Sequence, residues 1–234
     1  MNAAEDFPEV KYATDEGLLA LGGDLSAPRL IAAYRKGIFP WYHAGQPILW
    51  WSPDPRCVLF PAQYKPQRSL KKSIKKQRLV FSFDQTFEEV INHCAARQSM
   101  GQSMARANST GTWITDDMKD AYINLHRLGY AHSVETWRDG ALVGGLYGVA
   151  VGGVFFGESM FSQISDASKA ALNFLISHLT AWNFQLIDCQ ITSPHLLSLG
   201  AVEIPRTEFL ERLDCALTQA GKPGSWKNIP VAPQ

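Results

Sequence analysis

The stretch "AHSVETWRDGALVGGLYGVAVGGVFFGESMF", Ala131 to Phe161, decides the fold. Apolar and β-branched residues fill it, and two turn signals divide it, Asp139-Gly140 and Gly152-Gly153. Such pairs supply the positive φ angles that two-residue hairpin turns require. Three antiparallel strands in a meander are therefore predicted. The run from Ala141 to Gly157 carries no charge, yet it is too short and too rich in glycine to span a membrane.

Downstream, the pattern changes to alternating helices and strands. A helix over 166–182 starts at a Ser165 or Asp166 cap, and a strand follows over 184–191. "SPHLLSLG" is a short helix closed by Gly200, "AVEIP" a strand, and "RTEFLERLDCALTQAG" a last helix. Upstream lie a strand, "LVFSF" (79–83), a helix over 86–98, and a helix from a Thr115 or Asp116 cap to Gly129. A polar loop at 99–110, "SMGQSMARANST" with its flanks, separates the two helices. The combination predicts a mixed-sheet α/β domain over 63–234. A smaller N-terminal domain is expected over 1–62. In it, a helix capped by Asp24 or Ser26 carries Leu30, Ala33 and Tyr34 as its apolar stripe, and prolines 40, 47, 53, 55 and 61 limit the rest to loops and short extended pieces.

With 234 residues, 46% hydrophobic and 19% charged, the chain is globular in composition. Four scattered cysteines form no CxxC pair and no metal-ligand spacing, and no signal peptide is evident. A soluble protein of a reducing cytoplasm is expected, with no metal, no cofactor and no membrane partner.

Formal net charge is zero, but its distribution is uneven. "KPQRSLKKSIKKQR", 65–78, holds seven of the 22 basic residues and no acid. Leu70 and Ile74 lie one helical turn apart, while Lys71/Lys75 and Lys72/Lys76 form like-charged rows that weaken an isolated helix. A mixed-sign solvated face is the ordinary form of a charged helix. A single-signed one inside an acidic remainder points instead to a phosphate backbone, contacted by Arg68, Lys71, Lys72, Lys75, Lys76 and Arg78.

In "LIDCQ", Asp188 and Gln190 stand two apart and share one face of an extended chain. A strand between helices is covered on both faces, so such a carboxylate needs partners, and ligands of these sheets gather beyond the strands' carboxyl ends. Asp188 and Gln190 are therefore the candidate catalytic pair, with Cys189 expected to point away and pack inward. Glu158, in "GESMF", suits an ion pair as well as a site. His132, Ser133 and Glu135 invite a triad, but adjacent strand residues point opposite ways. Trp41, Trp50, Trp51 and Trp113 suit core packing as well as stacking on bases.

"GLLALGGDLS", "GIFPWY", "PILWWSPDPR", "GTWIT", "GYAHSVE", "GGLYGVA", "FFGESMFS", "ASKAAL", "LIDCQ" and "SLGAVEIPR" together resemble, in order and spacing, the bacterial leucyl/phenylalanyl-tRNA–protein transferases. The resemblance runs from about Gly17 to Arg206. It implies a GNAT-like acyltransferase domain behind a small N-terminal domain. It also implies transfer of leucine or phenylalanine, with methionine as a further candidate, from aminoacyl-tRNA to proteins with N-terminal Arg or Lys, which marks them for degradation by the N-end rule. Carried over by motif, Asp188 and Gln190 are catalytic, Glu158 faces the acceptor, and Trp41, Trp113 and Met160 line the amino-acid pocket. Leu175 and Leu179 stand where the family carries phenylalanines, so side-chain preference is expected to differ here. The basic helix would hold the acceptor stem. Asp188 is expected to accept from the Gln190 side-chain amide, and Gln190 to accept from the attacking amine. An acyl-CoA-dependent GNAT N-acyltransferase is the rival enzyme, but it needs a glycine-rich pyrophosphate cradle at a helix N-terminus. A non-catalytic tRNA-binding protein is the other rival.

Overall fold

The computed structural model describes residues 6–100 and 113–229, with residues 97–100 described in backbone only. Chain order begins with β1 (Leu18–Leu21), α1 (Ala27–Arg35), β2 (Phe39–Pro40), β3 (Leu49–Trp51), β4 (Arg56–Leu59), α2 (Arg68–Gln77), β5 (Val80–Phe83) and α3 (Phe87–Met100). Next come α4 (Asp116–Arg127), β6 (Ala131–Arg138), β7 (Ala141–Val151), β8 (Val154–Ser162) and α5 (Ala167–Ala181). The chain closes with β9 (Leu186–Gln190), α6 (Pro194–Ser198), β10 (Val202–Ile204) and α7 (Arg206–Leu217). From residue 101 on, the expected polar loop lies outside the described residues.

The predicted meander is β6–β7–β8. Its first turn has φ of +51° at Asp139 and +80° at Gly140, as a two-residue hairpin of matching twist demands. A seven-stranded mixed sheet grows from it in the order β10-β4-β9-β8-β7-β6-β5, and a three-stranded sheet forms in the order β1-β3-β2. The strand Arg56–Leu59 departs from expectation. Its place in the sequence puts it in a small domain ending at 62, but it pairs antiparallel with both β9 and β10 inside the larger sheet.

Two apolar layers cover the sheet. Residues of α1, α3, α4 and α7 pack on one face and those of α2 and α5 on the other. Expected caps divide. Thr115 Oγ1 accepts from the Met118 amide and starts α4, whereas Ser26 and Asp166 make no side-chain cap bond.

β8 and β9 are parallel, joined through α5. They pair at Val154↔Leu186, Phe155↔Ile187 and Phe156↔Asp188. Beyond that point β8 stays with β7 as far as Ser162, while β9 ends at Gln190. A wedge therefore opens at the carboxyl ends of the parallel pair.

Both strands are irregular at the mouth of this wedge. On β8, Tyr147 pairs with Ser159 and Gly148 with Gly157, which leaves Glu158 as an extra, bulged residue. On β9, Val58 pairs with Asp188 and Cys57 with Gln190, which leaves Cys189 bulged. Bulges re-aim side chains and recur beside sites. Gly148 serves the first bulge, because a Cβ there would strike the Phe156 carbonyl oxygen.

Candidate active site at the split of two parallel strands

Asp188 is fully buried, and it faces neither of the two cavities at the wedge. Its carboxylate takes both arms of the Arg56 fork, Nε at 2.9 Å and Nη2 at 2.7 Å. Arg56 is itself buried between the rings of Phe39 and Phe209, at 4.9 and 4.5 Å. Bidentate geometry and flanking aromatic faces are what make a buried guanidinium–carboxylate pair tolerable. The pair joins β4 to β9, with α7 and the small sheet closing over it.

The expected bond from the Gln190 side-chain amide to Asp188 is not made. Asp188 Oδ1 accepts from the Gln190 backbone N–H at 2.9 Å instead. Gln190 sits at φ +57°, a left-handed conformation that costs a non-glycine residue energy. The Asp188 bond and the Cys189 bulge hold it there, so its side chain leaves the strand face that period-two alternation assigned. Gln190 Nε2 then lies 3.5 Å from Glu158 Oε1. Cys189, expected to pack inward, is half-buried and lines both cavities.

Glu158 is where the polar groups converge. Tyr34 donates to its Oε1 at 2.7 Å and Tyr122 to its Oε2 at 2.9 Å, and the two hydroxyls lie 2.6 Å apart. Burial raises the carboxyl pKa to about 7. The two tyrosine bonds oppose that rise, and the Asp188 charge adds to it. Burial and the Glu158 field in turn lift both tyrosine hydroxyls well above their ordinary range, so they remain donors.

Two cavities meet at Glu158, Cys189 and Gln190. One, of about 410 Å³, has Phe39, Pro40, Trp41, Trp113 and Ser193 in its wall. The other, of about 260 Å³, is walled by Met160, Leu172, Leu175, Phe155 and Leu196. Trp41 and Trp113, expected in one pocket with Met160, line a different cavity from Met160 and Leu175. Leu179 is fully buried one turn further along α5 and lines neither cavity. A third cavity, of about 460 Å³, borders Lys65, Ser69 and Lys169 at the start of α2 and contains neither Glu158 nor Gln190.

On α2, Leu70 and Ile74 are buried, and Arg68, Lys71, Lys72, Lys75, Lys76 and Arg78 are exposed. No carboxylate among the described residues lies within ion-pair distance of these six. The "AHSVE" group is closed. His132 Nδ1 lies 3.0 Å from Asp84 Oδ2, its ring stacks on Trp226 at 3.7 Å, and Ser133 donates to Glu135.

Sequence reasoning missed Arg56, Tyr34 and Tyr122. The signal for Arg56 was a cation inside the apolar run "RCVLF". The tyrosines resemble ordinary helix-stripe residues.

No described helix is long and apolar enough to cross a membrane. Among solved structures, L-PGS from Bacillus licheniformis aligns with TM-score 0.39 and 9% identity, over 70% of this chain and 50% of that one. A GCN5-related N-acetyltransferase from Kribbella flavida aligns with TM-score 0.32 and 11% identity, over 75% and 59%. The leucyl/phenylalanyl-tRNA–protein transferase of Methylococcus capsulatus is 52% identical over 223 residues, 95% of this chain and 92% of that protein. That of Nitrosospira multiformis is 58% identical over 197 residues, covering 84% and 82%. The family model of the leucyl/phenylalanyl-tRNA protein transferase matches residues 58–214, and that of its N-terminal domain matches 23–54. With family model and relatives in agreement over nearly its whole length, the chain belongs to the leucyl/phenylalanyl-tRNA–protein transferase family.

Proposed function

We propose that the protein works in the cytoplasm, moving leucine or phenylalanine from aminoacyl-tRNA to the N-terminal Arg or Lys of acceptor proteins and so committing them to N-end rule degradation. One observation carries this: an aromatic cavity and an apolar cavity meet at a single carboxylate, Glu158, beside Gln190. Trp41 and Trp113 suit the terminal adenosine, since aromatic faces stack on any base. The cavity walled by Met160 and Leu175 suits an apolar aminoacyl side chain.

The reaction is ester aminolysis. The acceptor nitrogen bonds to the aminoacyl carbonyl carbon, the ester C–O bond breaks, and the ribose oxygen departs as a hydroxyl. The nitrogen must shed a proton. An α-amine has a reference pKa of about 7.7–8.0, so Glu158 at about 7 is close enough to accept it. Gln190 holds that carboxylate and the amine in line. Asp188 acts through Arg56 and the Gln190 backbone as a positioning residue. Much of the acceleration then comes from alignment, for which effective molarities reach about 10⁵ M or more.

The test is transfer of labelled leucine and phenylalanine from tRNA to an Arg-initiated peptide, with a Ser-initiated peptide as control. Product on the first alone supports the proposal. Transfer from acetyl-CoA, or tRNA binding with no product, would replace it with one of the rivals. Against the acyl-CoA rival, the glycines of "GGLYGVAVGG" lie within β7 and its turn rather than at a helix N-terminus.

A further inference from the structure

Cys57 and Cys189 are 132 positions apart in the chain and neighbours across the β4–β9 ladder. The bulge sets Cys189 and Gln190 together opposite Cys57. Both sulfurs lie on the α2/α5 side of the sheet. Cys57 belongs to that core, and Cys189 packs against it. Both side chains therefore pack into the same apolar layer from adjacent strands. In a bulge two residues face one partner, so Cys189 stands beside the Cys57–Gln190 pairing, on the scale of the about 4.4–6.8 Å at Cα that a disulfide spans.

Access is unequal. Cys57 is sealed, whereas Cys189 is half-buried and forms part of the wall of both cavities. Cys94 is buried in the opposite core and Cys215 is exposed. Only Cys189 of the four therefore combines a cleft location with a second cysteine on the neighbouring strand.

We infer that Cys57 and Cys189 form a thiol modification site at the cleft, closed to a disulfide by peroxide and reopened by dithiol. The chemistry balances. The thiolate sulfur bonds to one peroxide oxygen, the O–O bond breaks, and water leaves after protonation. The second sulfur then attacks the resulting sulfenic acid, the S–O bond breaks, and a second water leaves. Two electrons pass from the thiols to the peroxide. Cys189 draws the Cys57 thiol below its ordinary pKa against the cost of burial, while Cys57 and burial push the Cys189 thiol well above its own.

Closure has a consequence for the cleft. Cys189 is the bulged residue that turns Gln190, so tying its sulfur to β4 pulls the bulge and shifts Gln190 from Glu158. Misplacements of about 1 Å cost up to about 10²-fold in rate, and a loss of about tenfold or more is expected here.

The experiment is stoichiometric peroxide treatment of the full chain carrying Cys215→Ser, followed by non-reducing peptide mapping and the transfer assay. Expected are one linked peptide pair joining Cys57 to Cys189 with the loss of two hydrogens, slowed transfer, and recovery of both with dithiothreitol. Cys57→Ala should transfer normally before peroxide and resist it afterwards. Free Cys57 and Cys189 after treatment, or equal sensitivity of Cys57→Ala, would overturn the inference. A mapped link that leaves transfer unchanged would overturn its effect on the cleft. The rate readout rests on the transferase proposal but the covalent link does not, so a mapped link in a protein that transfers nothing separates the two failures.

Discussion

The same sheet holds two buried polar clusters. At its centre, Arg56, Asp188, Gln190, Glu158, Tyr34 and Tyr122 surround the wedge between β8 and β9. Nearer the β5 edge, Asp84, His132, Ser133, Glu135 and Ser82 form an equally dense network with Trp226. Judged by residue type, the edge cluster is the better candidate for catalysis. It has serine, histidine and two carboxylates, yet none of the three cavities reaches it. Its Asp84 accepts from His132, the Ser133 amide and the Trp226 amide, so it clamps the C-terminal segment to the sheet. Where a polar cluster is cut off from these cavities, it is a fastener. Where an acid shares its walls with open space, as Glu158 does, it has capacity left for a substrate.

The sharpest way to break this comparison is to remove Arg56. Arg56→Ala leaves the Asp188 carboxylate buried and unpaired, and about 3–5 kcal/mol of stability should go, read by urea denaturation. Turnover should fall with it, because the Gln190 amide loses a fixed acceptor. A variant as stable as the parent would show that the ion pair is not what ties β4 to β9.

Next in size is Glu158→Gln, expected to lower turnover about 100-fold, the usual scale for a general base. Here the pH dependence is specific. Glu158 must be ionised to take a proton, so wild-type kcat/KM should fall as pH drops below about 7. The variant should keep only the limb set by the acceptor amine. Stability runs the other way. The folded pKa of about 7 exceeds the 4.5 of an unperturbed glutamate, so the native state holds the proton between those values and stability declines as pH rises through that window. Glu158→Gln should flatten that decline. An unchanged kcat/KM profile would remove Glu158 from proton transfer.

The closed cluster supplies the contrast. Glu135→Gln removes one acceptor from oxygens that serve Ser82 and Ser133, and it should cost about 1–3 kcal/mol. Turnover at saturating substrate should stay at the parent value. A fall in turnover without a fall in stability would mean the two clusters communicate.

Much of the fold was legible because its signals are local. Asp139-Gly140 announced a turn, Thr115 a cap, and Leu70 with Ile74 the buried side of α2. The site was legible in membership but not in role. Asp188 and Gln190 were found by period-two alternation, which holds only while the backbone stays regular. The bulge at Cys189 depends on register against β4, more than a hundred residues away in the chain, and no pattern inside "LIDCQ" encodes it. Arg56, Tyr34 and Tyr122 were missed for the same reason. Their partners lie 132, 124 and 36 positions away, and a tyrosine on a helix stripe reads the same whether its hydroxyl meets water or a carboxylate. The strand Arg56–Leu59 joined the wrong domain because proline density marks where helices stop, not which sheet a strand enters.

The basic helix is a third kind of region, with charge but neither a share of the cleft nor, among the described residues, an acidic partner. Its lysines should behave unlike either cluster. Replacing one exposed lysine, Lys72→Ala, should raise KM for aminoacyl-tRNA a few-fold, leave kcat and stability alone, and reduce the slope of log affinity against log salt by about one. That follows if the side chain displaces one condensed counterion from a phosphate. Because Lys71, Lys72, Lys75 and Lys76 have no acidic neighbours to release among the described residues, successive substitutions should lower the slope in nearly equal steps. Counterion release is additive, whereas cleft residues act as a unit and lose their effects together. Equal steps from α2 and a collapse after the first substitution at Glu158 or Arg56 would separate surface attraction from site chemistry within one protein. A salt slope that ignores all four lysines would place the RNA on another face.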